Sequence, residues 1–253
     1  MCYVALSRVQ CLEQLFILEK LPVDKMKPWP DAVEEMHRLD DIDRKRKCFS
    51  KFSICTLNVN SFSSHYQDIT VDRILTEKSV ICLQETWLSV NDNPSNFPIG
   101  IKLCHFNSVR KGAGIATYFN ESFKHLKDFS AVSYQISVFA SNDQVVVNIY
   151  RSKFACTDIF LKNLSTVVID RTKEFFVCAD WNICAREEKN HPILQFLSNN
   201  NFTPVIQPPK ATQREGRCID MIWTRGIEQQ KYASHIDFKY YTDHGQISLM
   251  KNG

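Results

Sequence analysis

Several short apolar runs in this chain each stop on a polar side chain. Val80-Ile-Cys-Leu-Gln84 is followed at once by Glu85, Val145-Val-Val-Asn-Ile149 by Tyr150, and Phe175-Phe-Val-Cys-Ala179 by Asp180. Runs this short, rich in β-branched and aromatic residues, read as buried strands. A carboxylate or phenol at the end of such a strand emerges at the rim of its sheet, where a ligand can reach it.

Between and around these runs the pattern alternates. Strands are expected over Phe52 to Val59, Ser79 to Gln84, Ile101 to Phe106, Gly114 to Phe119, Val132 to Ala140 and Gln144 to Tyr150. Further strands are expected over Glu174 to Ala179, Cys218 to Thr224, Ile236 to Tyr241 and Gln246 to Met250. Helical spacing is found over His65 to Glu77, Cys156 to Val168 and His191 to Leu197. Helices alternating with strands, some of them hairpin-linked, imply an α/β chain with mixed sheets covered by helices.

A hydrophobic fraction of 44% in 253 residues supports a sizeable core. The net charge of +3 excludes nothing, because a local basic patch can bind nucleic acid without a basic total. None of the ten cysteines forms a Cys-x-x-Cys pair. Cys55, Cys82, Cys178 and Cys218 lie in strand-like runs and are expected to be reduced core residues of an intracellular protein. No apolar stretch approaches the roughly 20 residues that cross a bilayer, so no membrane association is expected.

The first 24 residues are apolar, but Arg8 and Glu13 interrupt them and no small-residue cleavage site follows, so they do not read as a signal peptide. An amphipathic helix packing on the domain, followed by a strand, is one reading. Tyr3-Val-Ala-Leu-Ser-Arg8-Val and the following Leu-x-x-Leu-x-Ile-Leu18 pattern also resemble the last motif of Pif-type and RecD-like DNA helicases, which implies an arginine-finger role for Arg8. No Gly-x-x-x-x-Gly-Lys-Ser/Thr loop exists in the chain, so the segment resembles a helicase C-terminal remnant, residues 1–24. Residues 25–50 read as a linker and polar helix: Pro22, Pro28 and Pro30 punctuate its start, Asp31 suits a helix cap, and Arg44-Lys-Arg-Lys47 suits a helix end. The same basic run is a short match to a nuclear import signal, and a nuclear location is the expectation. Residues 51–253 form the remaining domain.

Six blocks carry chemistry. They are Thr56-Leu-Asn58-Val-Asn60, Leu83-Gln-Glu85-Thr86, Tyr150-Arg151, Val177-Cys-Ala-Asp180-Trp-Asn182, Cys218-Ile-Asp220-Met-Ile-Trp223 and Tyr241-Thr-Asp243-His244-Gly. Carboxylates, a histidine–aspartate pair and several asparagines suit phosphodiester hydrolysis, which needs a cation, an activated water and charge stabilisation. Hard cations such as Mg²⁺ take oxygen ligands. Asp180 and Asn182 lie two apart, so an extended backbone points both to one side.

In order and type these blocks resemble the endonuclease/exonuclease/phosphatase superfamily, over about residues 52 to 250. The resemblance implies a deoxyribonuclease I-like four-layer α/β sandwich with two mixed β-sheets. It implies Glu85 as a ligand of Mg²⁺, or of Mn²⁺, with Asp243 near the metal and Asn60 at a second metal position that often holds aspartate in abasic endonucleases. Asn58 would bond the catalytic groups, Asp180 would orient or deprotonate water, and Asn182 and Tyr150 would hold the phosphate. Asp220 would pair with His244. Arg151, Lys210, Thr212 and Arg214 would contact DNA.

The implied activity is DNA nicking for a mobile element of the retrotransposon or Helitron kind, leaving a 3′-hydroxyl and a 5′-phosphate. A helicase or transposase polypeptide is the implied partner. Two alternatives stand beside it: a phosphatase or phospholipase of the same superfamily, and an inactive DNA-binding remnant.

Overall fold

A computed structural model describes residues 52–252 apart from 90, 93–96, 100–101, 111 and 169–172. The readings made for residues 1–24 and 25–50 lie outside the described residues. In chain order the elements are β1 (Ser53–Asn58), α1 (Phe62–Val71), α2 (Arg73–Thr76), β2 (Val80–Gln84), β3 (Leu103–Asn107), β4 (Ile115–Phe119), β5 (Lys124–Ala131), β6 (Tyr134–Ala140) and β7 (Gln144–Arg151). There follow α3 (Thr157–Val167), β8 (Glu174–Asp180), α4 (Pro192–Asn199), β9 (Thr203–Pro204), β10 (Asp220–Arg225), β11 (Tyr232–Phe238) and β12 (Gly245–Lys251).

The strands form two six-stranded sheets, ordered β11-β12-β1-β2-β4-β3 and β5-β6-β7-β8-β10-β9. Each sheet has one parallel pair at its centre, β1 with β2 and β7 with β8. Every other pairing is antiparallel, so both sheets share one arrangement. Along β1, Ile54 faces the opposite sheet, while Cys55 and Leu57 face α1, the two-residue alternation of an extended chain. Ile54, Cys82, Phe139, Val146, Phe176 and Ile222 fill the core between the sheets. Phe62 and Ile69 of α1 cover the outer face of the first sheet. Phe160 and Leu164 of α3, with Ile193 and Leu197 of α4, cover that of the second. The result is the expected four-layer α/β sandwich. Strands covered on both faces explain the near-continuous apolar runs.

Three details differ from the sequence reading. The helix expected over His65 to Glu77 is two helices, broken at Asp72. Asp72 is extended, and its carboxylate accepts the Leu75 amide at 3.2 Å. β5 was not expected. Its residues are mostly exposed and polar, as an edge strand requires, so no apolar run marks it. β11 starts at Tyr232, earlier than the expected Ile236, and ends before Tyr241. The cysteines at 55, 82, 178 and 218 are free and buried. Among the described residues no helix is long and apolar enough to cross a membrane.

Candidate active site

The sheet topology assembles the site. β1, β2, β7 and β8 all end at one rim, with Asn58 opposite Gln84 and Tyr150 opposite Asp180. The antiparallel β10 begins there, with Asp220 opposite Asp180. β12 also begins there, immediately after His244. Six residues distant in sequence therefore converge without any long excursion of the chain.

Asn58 joins the two sheets. Its Nδ2 donates to Asp180 Oδ2 at 2.9 Å, and its Oδ1 accepts the Asn60 amide at 3.0 Å. It also hydrogen-bonds Glu85, as does Tyr150. Thr242 Oγ1 donates to the Asn58 carbonyl at 2.9 Å and accepts the His244 amide at 3.3 Å. His244 Nδ1 lies 2.8 Å from Asp220 Oδ2. That contact directs the other ring nitrogen, Nε2, away from Asp220 and toward Asp243, 3.9 Å off.

Electrostatics concentrate here. Burial pushes Asp180 up, the Asp220 charge adds to it, and the carboxyl reaches about 8. Burial also raises Glu85, against hydrogen bonds from Asn58 and Tyr150 and the His244 charge. For His244, burial acts downward. The Asp220 charge and hydrogen bond, with Asp180 and Asp243 behind them, outweigh it and raise the imidazole to about 9. Glu85, Asp180 and Asp220 thus share the site with one imidazolium, and Asp243 lies at its exposed edge. Asp220 Oδ1 is buried with no hydrogen-bond partner. Buried oxygen donors whose joint ionisation is costly without a counter-charge fit a hard divalent cation. Glu85 is the half-buried member of this set, the one open to solvent.

The backbone is unusual at the same places. Asn60, Glu85 and Asn182 have φ of 43°, 47° and 51°. For a glutamate this left-handed conformation costs about 1–3 kcal/mol, the kind of strain that persists where surrounding contacts fix it. The neighbouring Thr86 amide donates to Gly114 O at 3.2 Å. A Cβ at Gly114 would meet Thr86 Oγ1 at 2.9 Å, so that approach requires glycine.

Two of the expected DNA-contacting residues are not placed for that task. Arg151 is buried, and its guanidinium donates to Trp181 O at 3.2 Å and Ala155 O at 3.1 Å. Thr212 is buried too, and its hydroxyl accepts the amides of Ile219 at 3.1 Å and Asp220 at 3.0 Å. Both are internal braces, of the Asp180–Asn182 turn and of Asp220. Asn182 is likewise turned inward, with Nδ2 donating to Arg151 O at 2.9 Å. Lys210 and Arg214 are exposed, although Arg214 Nη2 donates to Lys239 O at 2.8 Å. Asp243 is near His244 and accepts from Gln213 Nε2 at 3.1 Å. The Asn60 side chain is exposed at the rim.

Thr242 was missed by sequence reasoning, and so was a buried inter-sheet network behind the site. Gln84 Nε2 donates to Thr56 Oγ1 at 2.9 Å and to Asn148 Oδ1 at 2.6 Å, and Asn148 Nδ2 donates to Thr117 Oγ1 at 3.0 Å. Asn148 interrupts Val145-Val-Val, and an amide inside an apolar run is the signal that marks it.

Known proteins resemble this chain in sequence profile and in fold. The family model described as "Endonuclease/Exonuclease/phosphatase family" matches residues 55–244. No curated protein matches in sequence. An AP endonuclease from Archaeoglobus fulgidus superposes with a TM-score of 0.64 at 15% identity, covering 79% of this chain and 99% of that one. A 3′ phosphatase from Neisseria, bound to a product DNA hairpin, gives 0.59 at 15% identity, covering 80% and 100%. The endonuclease domain of TRAS1, a telomere-specific non-LTR retrotransposon, gives 0.59 at 7% identity, covering 79% and 98%. At these identities the likeness is one of fold.

Proposed function

Because the chain belongs to the endonuclease/exonuclease/phosphatase family, we propose that it is a divalent-cation-dependent DNA endonuclease that cuts one strand to a 3′-hydroxyl and a 5′-phosphate. The observation that carries this reading is the convergence of Asn58, Glu85, Asp180, Asp220 and His244 at one rim, with Asn58 bonded to Asp180 across the two sheets. A divalent cation, Mg²⁺ or Mn²⁺, held by Glu85 with Asp243 nearby would neutralise phosphate charge and favour the ionised form of Asp180. Asp180, with Asn58 on one oxygen and the Asn182 amide on the other at 3.0 Å, orients a water and takes its proton. The water oxygen bonds to phosphorus, the bond from phosphorus to the 3′ oxygen breaks, and that oxygen leaves as an alkoxide that takes a proton from solvent water to become the hydroxyl. His244, positively charged through Asp220, presents Nε2 to a non-bridging phosphate oxygen. Tyr150 holds the Glu85 carboxylate and lines the site.

The mobile-element role rests on three supports. Residue 60 is asparagine, as retrotransposon endonucleases tend to have. The TRAS1 domain shares the fold. Residues 1–24 resemble a helicase terminus, which makes a helicase or transposase polypeptide the proposed partner and the nucleus the proposed location. A phosphatase activity is the competing reading.

Supercoiled plasmid incubated with Mg²⁺ or with EDTA separates the two. Nicked circles are expected with Mg²⁺ alone. Glu85→Gln, His244→Ala and Asp180→Asn should each slow nicking by about 10²- to 10⁴-fold, the range of one acid–base or electrostatic group. Glu121→Gln, an exposed carboxylate outside the site, should match wild type. Phosphate release from a 3′-phosphorylated oligonucleotide with no nicking would favour the phosphatase. Full nicking by Glu85→Gln would overturn the metal assignment.

A further inference from the structure

A second cluster of metal-ligating side chains lies apart from the active site and shares no residue with it. His105 stands on β3, the outermost strand of one sheet, and His125 and Asp128 stand on β5, the outermost strand of the other. His105 Nε2 is 2.9 Å from Asp128 Oδ2, and His125 Nε2 is 3.0 Å from Asp128 Oδ1. All three ligating atoms lie within 4.8 Å of one another. We propose that His105, His125 and Asp128 form a transition-metal site, taking Zn²⁺ or a similar borderline divalent ion, that clips the edge strand of one sheet to the edge strand of the other.

Four observations carry this. The first is the backbone of β5. In a regular strand, residues three apart point to opposite faces. A bulge between His125 and Lys127 inserts one residue and returns His125 and Asp128 to the same side. The second is the pair of rings. The imidazoles of His105 and His125 stack with centroids 3.8 Å apart and planes 21° apart, and both Nε2 atoms aim at one carboxylate. Two stacked imidazoliums would repel, and one carboxylate cannot neutralise both. Two imidazole nitrogens and a carboxylate oxygen make an N₂O ligand set for one shared cation, which leaves a fourth position for water.

The third is the support behind the ligands. Ser137 Oγ donates to Asp128 Oδ1 at 2.6 Å, and Asn107 Nδ2 donates to Ser137 Oγ at 3.3 Å, so the carboxylate is oriented from behind. The fourth is access. The three side chains are 26–32% exposed, open enough for an ion to enter and fixed enough to wait for it. Tetrahedral Zn²⁺ with bonds of about 2.0–2.1 Å sets its ligand atoms about 3.4 Å apart. The two nitrogen–oxygen contacts, 2.9 and 3.0 Å, lie a few tenths of an ångström below that spacing.

Imidazole nitrogen selects Zn²⁺, Co²⁺, Ni²⁺ or Cu²⁺ over Mg²⁺. The test is therefore a Co²⁺ titration of the full chain in excess Mg²⁺, which occupies the carboxylate site, followed by visible d–d absorption. One equivalent with intense four-coordinate bands is expected. His105→Ala, His125→Ala and the isosteric Asp128→Asn should each weaken binding by more than about tenfold, since losing even an outer-shell partner costs 10- to 100-fold. Plasmid nicking in Mg²⁺ should be unchanged in all three. Zn²⁺ should raise the melting temperature of wild type and leave that of Asp128→Asn unmoved. Co²⁺ binding that survives in Asp128→Asn, or no d–d bands at millimolar Co²⁺, would overturn the site. Loss of nicking with Co²⁺ binding retained would instead implicate the active-site assignment.

Discussion

Thr212 and Arg151 show how far a residue's type can stand from its task. The family resemblance implies both as DNA contacts, yet each is buried and bonded to main chain. Thr212→Val keeps the shape and removes the acceptor shared by the Ile219 and Asp220 amides. Leaving buried amides unpaired costs about 1–3 kcal/mol. Nicking should fall because Asp220, and with it His244, loses its seat. Arg151→Lys keeps the charge but cannot reach both Trp181 O and Ala155 O, so it should lower stability comparably. For either variant the dependence of DNA affinity on salt should match wild type, because no phosphate contact is lost. A reduced salt slope for Arg151→Lys would return it to the DNA surface. The identities of Asn58, Glu85, Asp180, Asp220 and His244 were legible because each closes an apolar run or sits in a motif. The burial of Arg151 and Thr212 was not, because burial depends on partners distant in sequence.

At the scale of elements, the central strands could be read, and so could the edge strand β3, but the edge strand β5 could not. β1, β2, β7 and β8 are covered on both faces and advertise themselves as apolar runs. β5 lies at an edge, keeps its residues in solvent and carries no such signature. The break between α1 and α2 was hidden for another reason: it is set by Asp72, which works in three dimensions. Asp72 caps α2 through Leu75 N, lies 2.8 Å from Lys239 Nζ and accepts from Tyr241 Oη at 3.3 Å. Lys239 is 7% exposed, so this ion pair is largely desolvated. It ties the α1–α2 corner to the segment between β11 and β12 that ends in His244. Removing one member of a buried pair costs about 3–5 kcal/mol, and Asp237, 2.5 Å from the same ammonium, moderates the loss toward the lower end. Asp72→Ala should therefore cost about 3 kcal/mol in urea unfolding. Asp72→Asn, which keeps an acceptor for the Leu75 amide, should cost less. Equal losses for the two would mean that the cap, not the charge, is what matters.

For the whole molecule, the site is a place where the fold gathers mutually unfavourable charges, which a bound cation would relieve. Folding moves Asp180 from an ordinary 3.8 to about 8, and His244 from 6.5 to about 9. Across that window the folded chain holds more protons than the unfolded one, so these two groups make stability fall as pH rises. The signs have separate causes. The stabilising charge of His244 is fully present below about 6.5 and is lost as pH passes about 9. Asp180 is tolerated while protonated and becomes costly once it must ionise beside Asp220 in a buried site. Without metal, thermal stability should therefore be higher near pH 5 than near pH 8.5. A divalent cation favours the ionised carboxylates and is stabilising by mass action, so the gain from Mg²⁺ should grow with pH. Asp180→Asn has no proton to lose at that position and should show a flatter profile in EDTA and a smaller gain from Mg²⁺. Melting curves at several pH values, with EDTA and with Mg²⁺, measure all of this at once. A wild-type profile in EDTA no steeper than that of Asp180→Asn would mean that the carboxylate cluster is not the strained element of this fold.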